Sequence, residues 1–140
     1  GIDGLIIPDI PMYEFETTYQ AIVKKYGLDF IFLITPETSE ARIRQIDAVS
    51  SGFIYAVSSS SVTGSTQNTS GVATYLQRLQ SYQLKNPILV GFGISDSASF
   101  NMVTQYANGG IIGTAFIKAL AQQNADVATT TKNFVQSILS

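Results

Sequence analysis

Five short apolar runs, residues 5–8, 30–34, 53–57, 88–92 and 110–112, recur along this chain and set its fold class. A strand with one wet face alternates apolar and polar residues, whereas a run without alternation belongs to a strand covered on both faces, which is the habit of parallel sheets. Segments of helical spacing fill the gaps, at residues 14–26, 39–49, 72–82 and 97–107. Tyr19, Ile22, Val23 and Tyr26 make the first apolar stripe, Ile43, Ile46 and Val49 the second, and Val72, Leu76, Leu79 and Tyr82 the third. Each stripe is expected to pack on the sheet. A short helix over 114–120 and a final one over 126–139 follow, the last with Phe134, Val135 and Ile138 on its buried side. Thr38 or Ser39 and Asp96 stand where helix starts need caps, and Gly27, Gly52 and Gly109 where helices hand over to strands. The reading is five parallel strands in the order βαβαβαβαβα, as a single domain over residues 1–140. Right-handed crossovers allow either an open doubly wound sheet or a section of a closed barrel.

Composition limits the chemistry. The chain has no cysteine and no histidine, so a disulfide framework, a thiol nucleophile and the commonest general base are all excluded. Carboxylates, hydroxyls, lysine or backbone must do any chemical work. A net charge of -2 without a Lys/Arg run gives no footprint for nucleic acid or an anionic membrane surface. No apolar stretch approaches the roughly 20 residues that cross a bilayer. The first residues, Gly1-Ile2-Asp3-Gly4-Leu5-Ile6-Ile7, read directly as a strand, as though the chain begins within a fold.

Two glycine-rich turns carry the functional signal: Gly91-Phe92-Gly93-Ile94-Ser95 and Gly109-Gly110-Ile111-Ile112-Gly113-Thr114. Glycine at a strand end lets backbone N–H groups approach a ligand, and a helix N-terminus behind it adds partial positive charge. Paired turns one strand apart match the phosphate cradle that (β/α)8 barrels build after their last two strands. They favour a TIM barrel section over an open sheet. The plainer alternative is that strand ends use glycine for tight turns whatever the ligand. Neither turn is a dinucleotide fingerprint or a P-loop, because the third glycine and the Gly-Lys-Ser/Thr triplet are missing. Glu37, Asp47 and Asp96 read as structural carboxylates: a helix-start acid, a helix residue and an N-cap.

Four segments occur together in an order that resembles the tryptophan synthase alpha chain family: Asp3-Gly4-Leu5-Ile6-Ile7-Pro8-Asp9-Ile10-Pro11, the block from Tyr55 to Val62-Thr63-Gly64, the Gly91-Phe92-Gly93-Ile94-Ser95 turn and Gly113-Thr114-Ala115. The resemblance runs from end to end of this chain and covers the C-terminal part of that family's barrel, strands four to eight. It implies a lyase of tryptophan biosynthesis that cleaves indole-3-glycerol phosphate by a retro-aldol reaction into indole and glyceraldehyde 3-phosphate. It implies further that indole passes to a tryptophan synthase beta chain, that the alpha side uses no cofactor, and that the location is cytoplasmic. The family's catalytic glutamate and aspartate belong to segments that would precede Gly1, so none is assigned here and this chain alone is expected to be inactive.

The same resemblance assigns Gly64, Gly93, Gly113 and Thr114 to the substrate phosphate, with Thr114 in place of a serine but keeping a hydroxyl donor. It assigns Tyr55, Phe92, Ile6, Leu33 and Thr63 to the indole pocket, and Asp9 to the subunit interface. Ser59 departs from the family, which often carries an arginine there. Each apolar member is also readable as ordinary core, Thr63 and Gly64 as part of a plain Ser/Thr-rich loop, and Asp9 as an Asx turn ahead of a helix. Two other readings stay open: a non-catalytic phosphate-binding half-barrel that self-associates through its two open sheet edges, and another phosphate-binding barrel enzyme such as an epimerase or isomerase.

Overall fold

The computed structural model describes residues 1–57, 69–91, 93–122 and 126–140, with the side chains of residues 69 and 70 left aside. Its strands are β1 (Gly4–Ile6), β2 (Asp29–Ile31), β3 (Leu33–Ile34), β4 (Ile54–Val57), β5 (Ile88–Gly91) and β6 (Gly109–Ile111). All pairings are parallel, β1 with β2 in one sheet and β3-β4-β5-β6 in another. Each strand thus pairs only with its sequence neighbours. A doubly wound sheet reverses its strand order part-way; none of these strands does, so the arrangement is that of a barrel section.

The expected second strand is divided at Phe32. Residues 29–31 pair with β1 and residues 33–34 with β4, while the Phe32 carbonyl accepts the Tyr55 N–H at 2.9 Å. One apolar run therefore serves two neighbours in succession, as a strand must where a sheet curls.

The helices are α1 (Met12–Glu14), α2 (Gln20–Lys25), α3 (Glu40–Val49), α4 (Thr69–Ser81), α5 (Ser97–Thr104), α6 (Thr114–Ala121) and α7 (Val127–Leu139). A π-turn over Phe15–Tyr19 joins α1 to α2, with the Gln20 N–H donating to the Phe15 carbonyl. Here the expected stripe fails. Val23 is buried, but Tyr19, Ile22 and Tyr26 are exposed. Phe15 sits 4.4 Å from Phe30 and 4.9 Å from Phe32, ring centre to ring centre, and this aromatic cluster fixes how the helix is turned. With Phe15 and Val23 inward, Tyr19, Ile22 and Tyr26 face out. Val135 of α7 is likewise exposed, whereas Ile138 is buried.

The caps at Ser39 and Asp96 fall where the sequence places them, and Asp126 adds a third. The Ser39 hydroxyl accepts the Arg42 N–H at 3.4 Å, Asp96 accepts Ser99 N–H at 2.8 Å, and Asp126 accepts Thr129 N–H at 3.0 Å. The Ser99 bonds hold the fully exposed Asp96 carboxyl below the usual carboxylate range. Asp47 fastens α3 to the loop before β5, accepting the Lys85 and Asn86 backbone N–H groups at 2.9 and 3.0 Å. Burial alone would push that carboxyl up, but those bonds, the Asn86 side-chain bond and the Lys85 charge outweigh it and hold it down.

Register decides which residues meet the helices. Ile34, Ile54, Ala56 and Val90 are fully buried and form one layer with Ile43, Ile46, Leu76 and Leu79 of α3 and α4. Alternate residues of the same strands point to the opposite, concave face.

Candidate functional site

The concave face gathers three of the expected pocket residues. Ile6 pairs with Ile31, Leu33 lies two residues beyond Ile31, and Leu33 pairs with Tyr55, so Ile6, Leu33 and Tyr55 share one side of the sheet. Ile111 joins them through the Val57↔Gly91↔Ile111 row. Ile6 is 46% exposed, and Leu33 and Tyr55 are half-buried. Burial raises the Tyr55 hydroxyl above its ordinary value, so it stays protonated and donates or accepts a hydrogen bond at neutral pH.

Gly91 fixes where Tyr55 lies. A Cβ at position 91 would fall on the Tyr55 ring and hydroxyl, so only glycine leaves room for that ring against the β5 backbone. The sequence reading treats Gly91 as part of a phosphate turn and misses this role. The Gly-Phe-Gly pattern at a strand end is the signal that marks it.

The two glycine turns lie at the same end of the parallel strands. Gly93 follows β5 with φ +80°, a left-handed conformation that a side chain would strain. Gly113 follows β6 with φ -109°, and among the described residues a Cβ there would meet nothing within 4 Å. Turn geometry therefore accounts for Gly93, while at Gly113 no described residue occupies the space a side chain would take. Thr114 begins α6, whose N-terminus has no side-chain cap, in contrast to α3, α5 and α7. With no side-chain cap among the described residues, the α6 start keeps first-turn N–H groups of the kind that receive an anion.

Thr63 and Gly64, with Ser59, and Phe92 lie outside the described residues.

A cleft of about 560 Å³ opens beside the concave face, between the loop after β1 and the loop after β3. Ile7, Ile10, Phe32, Ile46 and Val57 make its apolar part, and Leu33 reaches it; Asp9, Thr35, Glu37, Thr38 and Arg42 make its polar part. The described residues of the glycine turns do not line it. Asp9 adopts φ +60° and makes no hydrogen bond among the described residues, so the Asx-turn reading has no side-chain bond behind it. The opposite wall is rigid: Thr38 Oγ1 accepts the Thr35 N–H at 2.9 Å, and Arg78 of α4 donates to the Pro36 carbonyl at 2.7 Å. Sequence reasoning overlooks this wall, whose signal is the Thr35-Pro36-Glu37-Thr38 turn directly after a strand. Among the described residues, no cluster of carboxylates has the arrangement of a metal site.

The family model for the tryptophan synthase alpha chain matches residues 1–138. The chain belongs to the tryptophan synthase alpha chain family. It is 56% identical to the tryptophan synthase alpha chain of Flavobacterium johnsoniae over 126 residues, covering 89% of this chain and 50% of that one. Against the tryptophan synthase alpha chain of Christiangramia forsetii it is 51% identical over 139 residues, covering 99% and 53%. The chain thus spans about half the length of the curated relatives it matches. Among solved structures it resembles the tryptophan synthase A-subunit of Pyrococcus furiosus, with a TM-score of 0.80, 27% identity and coverage of 99% of this chain and 56% of that one. The a2b2 complex of tryptophan synthase from the same organism matches with a TM-score of 0.78 at 26% identity, over 99% and 55%. For a tryptophan synthase alpha family member, the sequential strand order is accounted for as part of a TIM barrel.

Proposed function

We propose that this chain carries the phosphate end and part of the ring pocket of a tryptophan synthase alpha site, acting in retro-aldol cleavage of indole-3-glycerol phosphate to indole and glyceraldehyde 3-phosphate. The observation that carries the reading is Gly113, whose φ of -109° is not left-handed and beside which no described residue packs, so close approach of an anion is the demand left for glycine there. In this reading the phosphate accepts hydrogen bonds from the α6 first turn, the Thr114 hydroxyl and the Gly93 turn. The indole ring lies along the wall made by Ile6, Leu33 and Tyr55, a flat apolar surface suited to it, with Phe92 and Thr63 as its further neighbours. Gly64 adds a backbone donor to the phosphate. The residues 1–140 act as a single domain.

Cleavage needs a proton delivered to the ring carbon that becomes C3 of indole, and a proton removed from the neighbouring hydroxyl as it becomes the aldehyde. Asp47 serves in a loop clamp, Asp96 and Asp126 in caps, and Glu40 in a pair with Arg44. In the resemblance to the family, the catalytic glutamate and aspartate belong to segments that would precede Gly1, so in this reading the acid and base come from elsewhere in the whole lyase and this polypeptide alone does not turn over. A cytoplasmic location and a beta-chain partner docking near Asp9 complete the reading. Among the described residues no helix is long and apolar enough to cross a membrane.

A titration of the 15N-labelled chain with glycerol 3-phosphate tests it. The expected result is amide shifts at Gly93, Gly113 and Thr114 that glycerol alone does not produce. Shifts confined to other residues would sink the phosphate assignment, and indole released from indole-3-glycerol phosphate by this chain alone would sink the claim of inactivity.

A further inference from the structure

Asn108 is the only asparagine of the chain that a glycine follows. It is an exposed residue directly ahead of β6, at the end of the strands opposite the glycine turns. Its backbone N–H donates to the Ile88 carbonyl at 2.9 Å, and its side-chain Oδ1 accepts the Ile88 N–H at 2.9 Å. The side-chain amide thus takes the place of a backbone carbonyl and adds a bond where the pairing of β5 with β6 begins. Ile88 is only 6% exposed, so without that oxygen its N–H would be a buried orphan donor.

Gly109, the next residue, pairs with Leu89. Having no side chain, it leaves its amide nitrogen unhindered for ring closure on the preceding asparagine. The other asparagines precede Thr69, Pro87, Met102, Ala125 and Phe134, where a side chain, or at Pro87 the missing N–H, opposes the same closure.

We propose that Asn108 is a deamidation site that the fold holds shut through its two bonds to Ile88, and that opens when β5 and β6 separate there. In the reaction the Gly109 nitrogen attacks Asn108 Cγ and a C–N bond forms. The Gly109 proton passes through water to Nδ2, which leaves as ammonia and gives a succinimide. Water then opens that ring, at the former side-chain carbonyl to give aspartate or at the backbone carbonyl to give isoaspartate. Nothing is oxidised or reduced, and water is the only co-reactant. While Oδ1 is tied to Ile88, the side chain is not free to turn its carbon onto the Gly109 nitrogen. Isoaspartate carries an extra methylene in the main chain ahead of β6 and moves the acceptor off the Ile88 N–H, so a chain that has reacted refolds with that donor unpaired. None of these atoms belongs to the strand ends that carry Gly93 and Gly113, and the proposal stands apart from the phosphate reading.

Peptide mapping by mass spectrometry along a urea titration at mildly alkaline pH tests it, with circular dichroism reading the unfolded fraction of the same samples. Loss of the Asn108 amide is expected to follow the unfolded fraction, and to be at least tenfold slower without urea than beyond the transition. In high urea, Gly109→Ala is expected to slow the loss at least tenfold, because the added methyl group hinders the nitrogen whatever the state of the fold. A rate without urea equal to that in high urea would overturn the control by the fold. Faster loss at another asparagine in high urea, or an unchanged rate in Gly109→Ala, would overturn the assignment of the site.

Discussion

The two faces of the sheet are made from alternate residues of the same strands, yet they do different work. On the helix side Ile34, Ile54, Ala56 and Val90 are fully buried, against helices α3 and α4. On the concave side Ile6, Leu33 and Tyr55 stay partly exposed, and the glycine turns open at the same strand ends. The helix-side residues are fully buried, while the concave side, Ile31 apart, keeps partial exposure at Ile6, Leu33 and Tyr55. Mutations should therefore separate stability from binding according to the parity of the residue.

The largest effect is expected on the buried face. Ile54→Ala removes atoms from a site with no exposure and should lower unfolding free energy by about 2–5 kcal/mol, measured by urea denaturation. A cost as small as that of a surface change would break the division. Gly91→Ala comes next, because its Cβ collides with the Tyr55 ring; overpacking of this kind costs about 1–3 kcal/mol. Adding Tyr55→Ala should restore most of that loss, and strict additivity of the two changes would show that the ring moves away freely.

Asp47 sharpens the comparison from outside both faces. Its carboxyl is held below the ordinary value of 3.8, so its contribution is present above that pH and is lost as pH falls through the lower folded value. Asp47→Asn should cost about 1.5 kcal/mol at pH 7. The melting-temperature gap to the unsubstituted chain should stay constant above the ordinary carboxylate value of 3.8 and narrow progressively below it. A gap that does not narrow at all as pH falls below 3.8 would mean the charge is irrelevant.

The alternation of apolar runs with helical segments was legible in the sequence, and so were the caps at Ser39 and Asp96, because each rests on local residue chemistry. The inward parity of Ile6, Leu33 and Tyr55 was not, since strands apolar on both sides carry no alternation to mark it. The outward turn of Tyr19, Ile22 and Tyr26 was hidden for another reason. Their orientation follows from Phe15 meeting Phe30 and Phe32, a contact between distant segments with no local signature. The glycine turns were found by motif, but only backbone angles and the space around each glycine separate Gly93 from Gly113.

Gly113→Ala tests the central claim most directly, because a methyl group there meets no described residue and enters the space assigned to phosphate. Affinity for glycerol 3-phosphate should fall at least tenfold, while stability stays within about 1 kcal/mol of the unsubstituted chain, as for Gly→Ala at a compatible site. Unchanged affinity in a folded Gly113→Ala protein would contradict the account.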